Sequence, residues 1–171
     1  MKTPPREERR DAAASSPHAA RGRAPSLAYL VWSLFAGHTM ASMAMLVLPA
    51  VAPVVARDYG IDASLIGYQI SLVGMGFVLS LLFFGNFSRR FGAARTNQFG
   101  HAMGAAGMLL MALPAPLFLV IGSFSLGLGY GMLGPSASTL LMRFIQGERR
   151  NFVFSLQQTG IPIGGILAAL I

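Results

Sequence analysis

Residues 71–96 read SLVGMGFVLSLLFFGNFSRRFGAART. The first fourteen are almost wholly apolar and show no alternation of period two. The next twelve hold three arginines, Arg89, Arg90 and Arg95. A strand of a transmembrane barrel is about 10 residues long and alternates apolar with polar. Residues 71–84 do neither. Lipid offers no partner to backbone polar groups, so a run of this kind predicts a membrane-spanning helix.

The rest of the chain repeats the pattern. No Asp, Glu, Lys or Arg occurs in residues 24–56, 63–88, 96–142 or 151–171. A helix needs roughly 20 apolar residues to cross a hydrocarbon core about 30 Å thick. The stretch 96–142 is long enough for two crossings and carries LPAPLF at 113–118, where Pro114 and Pro116 end one helix and force a turn. The expectation is an all-α integral membrane protein with five spans, at about 27–55, 64–87, 97–113, 117–142 and 151–171. Hydrophobic residues make up 54% of the chain and charged residues 11%. The charged share is less than half of the ~25% usual in soluble domains.

The charges sort by side. Loops alternate across the bilayer, so the basic residues of the tail (Lys2, Arg6, Arg9, Arg10, Arg21, Arg23) share a face with Arg89, Arg90 and Arg95 and with Arg143, Arg149 and Arg150. Only Arg57 falls opposite. Cytoplasmic loops collect Lys and Arg. The N-terminus is therefore expected inside, and a bacterial cytoplasmic (inner) membrane fits. The net charge of +7 is an orientation signal and gives no reason to expect nucleic acid. Residues 1–26 read as a disordered basic cytoplasmic tail that is weakly drawn to lipid.

Several motifs are set aside on context. Gly129, Gly131 and Gly134 spell G-x-G-x-x-G, but a nucleotide site needs a strand before it. Asn86-Phe-Ser matches a glycosylation acceptor on the wrong face. Met40, Met43 and Met45 lack the acids or thiolates that would make a copper site, and the chain has no cysteine. All six acids lie in the tail or loops, with no pair at metal spacing. Neither an enzyme, a metal nor a cofactor is expected.

The residues that remain for solute chemistry are few. His38 lies mid-span and is the one deep group that titrates near neutral pH. Tyr130, Gln157 and Gln158 are the other candidates for a substrate cavity. Adjacent helical positions point about 100° apart, so at most one of the two glutamines faces a cavity squarely. Gly127 with Gly131 and Gly160 with Gly164 stand at helix-contact spacing, as does Gly100 with Gly104. Pro162 is expected to kink the last span.

Four stretches carry a family resemblance. Gly85, Arg90 and Gly92 match the cytoplasmic motif G-x-x-x-D-R-x-G-R-R between helices two and three of the major facilitator superfamily, and Arg95 falls just past its terminal basic pair. LPAVAPVVARDYGIDASLIG (48–67) resembles the end of that family's helix one and its outer loop. LGLGYGMLGPSAS (126–138) resembles helix four, and FSLQQTGIPIGG (154–165) helix five of bacterial members.

The resemblance covers about residues 27–171. It implies a secondary transporter of small solutes, working by alternating access and open to proton coupling. It implies about twelve spans in two halves. On that reading the chain is an incomplete N-terminal half, five helices long, whose transport needs the missing C-terminal half. Two residues depart from the pattern. Arg89 stands where the family has an acid that helps hold the inner gate. Ser123 stands where many proton-coupled members keep an arginine. The alternative is a membrane protein that does not transport: a remnant, helper or sensor.

Overall fold

The computed structural model describes residues 26–60, 62–84, 86–145, 147 and 149–171. Apart from Ser26, the expected tail lies outside the described residues, as does Gly85 of the loop motif. The described chain forms helices α1 (Leu27–Ala50), α2 (Ala52–Tyr59), α3 (Ala63–Phe84), α4 (Phe87–Phe91), α5 (Ala93–Met111), α6 (Pro116–Phe144), α7 (Arg149–Gln158) and α8 (Gly160–Ala169). Four helical stretches are long and apolar enough to cross a membrane: Leu27–Ala50, Gly67–Phe84, Pro116–Phe144 and Arg149–Ala169. The protein is an all-α membrane protein of the expected class.

The helix boundaries follow from the backbone chemistry of a few residues. The first apolar run is expected to be helical through residue 55, yet α1 stops at Ala50. Pro49 and Pro53 both lack the N–H that a continuous ladder would use. Val51 takes up the break, and Pro53 falls at the start of α2, where a first-turn N–H has no intrahelical acceptor anyway. Gly60, with φ 63°, closes α2 in the left-handed conformation that glycine adopts freely.

The last run is also split. α7 ends at Gln158 and α8 begins at Gly160. Pro162 cannot donate to the Gln158 carbonyl four residues back, and Thr159 sits at the resulting break.

α5 differs from the other long helices. Its 19 residues are about 28 Å long at 1.5 Å per residue. Its first half carries Arg95, Asn97, Gln98 and His101, and it is not among the four apolar stretches. It begins earlier than residue 97, directly after Gly92.

Packing is pairwise and close. α5 and α3 each lie along α6, and α8 lies along α1. Glycine sets these distances. A Cβ on Gly107 of α5 would stand 2.7 Å from the Gly122 carbonyl of α6, and one on Gly122 would stand 2.6 Å from the Gly107 carbonyl. Gly127 abuts the Val73 backbone of α3, Gly131 abuts Ser80, and Gly160 and Gly164 abut α1 at Phe35, Thr39 and Met43. In lipid, close backbone approach of this kind supplies the packing that the hydrophobic effect cannot.

One apolar cluster (Leu30, Leu34, Ala93, Leu140, Leu141 and Ile145 among its members) binds α1, α5 and α6 at one end of the bundle. That end also bears the arginines of α4, α5 and α7. A second cluster around Leu48 and Ala56, with Met111 and Leu119, closes the opposite end. Large apolar side chains such as Trp32, Leu82, Phe83 and Leu109 point outward, as lipid contact requires.

Candidate functional site

His38 is carried by α1 and is buried, at 5% exposure. An imidazole removed from water needs a partner. It finds one in Gln157 of α7, whose Nε2 donates to His38 Nδ1 over 2.8 Å. A donor at Nδ1 means that the neutral ring carries its proton on Nε2. Gln157 is itself buried, at 2% exposure, so the bond joins two helices inside the bundle through residues 119 apart in sequence.

Tyr130 of α6 meets His38 edge-on, with ring centroids 6.2 Å apart, and lies 5.8 Å from Phe77 of α3. Its hydroxyl lies near Ser42 of α1. Ser42 in turn donates to the Ile161 carbonyl of α8 over 2.8 Å. Hydrogen bonds thus tie α1 to α7 and α8 at one level of the bundle, and α6 joins them through the Tyr130 ring.

A cavity of about 270 Å³ opens beside them. Its wall includes His38, Tyr130, Phe77, Pro135, Gln158 and Ile161. The two glutamines separate as helical geometry demands. Gln158 lies on the cavity wall, while Gln157 stands behind it, bonded to His38. The four residues expected to form a substrate cavity are therefore gathered in one place.

A second cavity, of about 310 Å³, lies between α1, α5 and α6. Its lining is mostly Met, Ala, Gly and Leu, with His101 and Tyr130 as the polar exceptions. His101 packs tightly on Gly37, where a Cβ would stand 2.6 Å from its Nε2. The smaller cavity, with more polar groups converging on it, is the better candidate for a solute.

At the arginine-bearing end, Arg89 and Arg90 ride on the short helix α4 and are exposed, as is Arg95 in the first turn of α5. Gly92 links the two helices with φ 86° and ψ 145°, a conformation closed to other residues without strain. Its carbonyl accepts from both the Thr96 N–H (3.1 Å) and the Thr96 Oγ1 (3.0 Å). The Arg90 guanidinium lies 5.5 Å from the Phe91 ring centre. Ser123, at the position noted for its missing arginine, is fully buried and donates to the Leu119 carbonyl over 2.6 Å.

Two features escaped the sequence reading. Phe87 packs on Phe84, Phe91 and Phe99, with centroids 5.6, 4.3 and 5.9 Å away. The spacing of three and four residues between Phe84, Phe87 and Phe91 was the available signal. Asn97 of α5 donates to Ser136 of α6 over 3.1 Å. An asparagine inside an otherwise apolar stretch is the hint for such a bond.

Residues 33–171 match the family model described as Major Facilitator Superfamily. No curated protein and no solved structure matches the chain.

Proposed function

The chain belongs to the Major Facilitator Superfamily, a family of membrane transporters, and on that premise we propose that it binds and moves a small neutral or anionic solute through the cavity beside His38. The carrying observation is the convergence of His38, Tyr130 and Gln158 on one space of about 270 Å³. Tyr130 and Gln158 supply hydrogen bonds to the solute. Gln157 holds the His38 ring in one tautomer, leaving its Nε2–H free to donate. Among the described residues the wall carries no carboxylate, which favours neutral or anionic solutes over organic cations.

His38 is the proposed site of any coupled proton, since Ser123 replaces the arginine of many proton-coupled relatives. The working unit crosses a bacterial inner membrane five times with its N-terminus inside, α5 being the third crossing. Alternating access needs a second helical half rocking against this one. Arg89, Arg90, Gly92 and Arg95 form the cytoplasmic gate loop, with Gly85 as its first residue. The cation at Arg89, where relatives have an acid, supports a second reading as a non-transporting helper or remnant.

Proteoliposomes holding this chain together with a second helical half of the family, offered a panel of neutral, anionic and cationic solutes, test the proposal. Saturable uptake of a neutral or anionic solute is expected. Gln158→Leu should weaken it about 2- to 10-fold, the worth of one hydrogen bond. Saturable uptake of organic cations would overturn the assignment. No uptake by the correctly inserted pair, with no solute binding either, would favour the helper reading.

A further inference from the structure

A third cavity lies where α3, α4, α5 and α6 meet, at the arginine-bearing end. It is small, about 10 Å³, which is about what one water molecule requires. Ser80 of α3 and Ser88 of α4 both line it. Ser80 is 1% exposed and Ser88 9%. Neither hydroxyl has a hydrogen-bond partner among the described residues. Leaving a hydroxyl both buried and unpaired is destabilising, and two of them share this one space.

The same cavity is bordered by Gly131 and Pro135 of α6. Pro135 has no N–H, so the Gly131 carbonyl lacks the donor that an unbroken helix would supply four residues on. Thr96 also lines the space, but its hydroxyl is already committed to the Gly92 carbonyl. Ser80, Ser88 and the turn of α6 opened by Pro135 thus border a volume the size of one solvent molecule. A buried water typically makes about three hydrogen bonds.

We propose that this cavity is a built site for a single structural water, held by Ser80 Oγ, Ser88 Oγ and the Gly131 carbonyl. The water joins the helix that carries Arg89 and Arg90 to both α3 and α6. It does so where α6 is opened by its proline, a place where inserted solvent commonly completes a helix ladder. Direct contact cannot replace it. Gly131 and Ser80 already touch, a Cβ on Gly131 standing 2.6 Å from Ser80 Cβ, so no larger side chain fits.

The test is a cycle of Ser80→Ala, Ser88→Ala and the double variant, each measured as a thermal midpoint in detergent or nanodiscs. Each substitution removes one oxygen. Each single change should lower the midpoint by roughly 2–4 °C. The double change should cost about as much as one, because the water is lost or loosened with its first partner. Additive losses, or no loss in any variant, would overturn the proposal. A structure of the unaltered protein at water-resolving resolution gives an independent readout. A solvent peak within hydrogen-bond distance of both serine oxygens is expected. Hydroxyls bonded to each other, or turned to carbonyls of their own helices, would refute it.

Discussion

The side chains of His38 and Gln157 meet over 2.8 Å in the interior, and that bond is the polar tie between α1 and α7. Both are almost fully buried, so removing either leaves the other unpaired away from water. Gln157→Leu should destabilise the protein by about 1–3 kcal/mol. The double change His38→Leu with Gln157→Leu should cost less than the sum of the two singles. Thermal midpoints of the purified variants check this, and strict additivity would show that the bond contributes nothing.

Glycine positions should divide sharply by what lies over them. Gly127 abuts the Val73 backbone, so Gly127→Val must push α3 away from α6. Loss of the folded monomer is expected on size exclusion in detergent. At Gly74 nothing stands within 4 Å of an added Cβ. Gly74→Ala should be tolerated, and stabilising by up to about 1 kcal/mol from helix propensity. Equal behaviour of the two variants would contradict the packing.

The chain has no cysteine, so single cysteines report topology without background. Asn86→Cys and Arg149→Cys should resist a membrane-impermeant maleimide applied from outside intact cells. Asp58→Cys should react. Reaction at Asn86 but not at Arg149 would break the proposed crossing pattern.

Asp62 offers a pH dependence outside the membrane. Its Oδ1 accepts from the Ser64 N–H over 2.8 Å, capping the start of α3. The Ser64 side chain and the Ser64 N–H together hold the carboxyl below the ordinary aspartate range. A lowered folded-state pKa means the cap's contribution is fully present above about pH 3.9, the unfolded value. It is lost as pH falls through the lower folded value. Amide exchange in the first turn of α3 should therefore quicken, relative to a neighbouring helix, only in that acid window. Asp62→Ala should show the quicker exchange at every pH, and an unchanged rate would dismiss the cap.

Crossing helices were legible in the sequence because charge is excluded from long runs, and the family was legible from the loop and the glycine-rich helices. Helix faces were not. α1 is apolar almost all the way round, since lipid and protein interior both accept apolar side chains. Periodicity therefore could not say that Leu34 faces inward while Trp32 faces lipid. Only the glycines carried directional information, because a residue without a Cβ marks where another backbone comes close. The candidate cavity was legible as a short list of polar residues. The pairing of His38 with Gln157 was not, since it depends on how α7 rotates before the break at Thr159. That break follows from Pro162, as the interruption near Val51 follows from Pro49 and Pro53.

The phenylalanine stack at the arginine-bearing end has a mechanical consequence. Phe87 grips Phe84 on one side and Phe91 and Phe99 on the other. These rings tie the end of α3 to α4 and to the first half of α5. A tilt of α3 would therefore be felt at Arg89 and Arg90, which ride on the short helix that these four rings clamp.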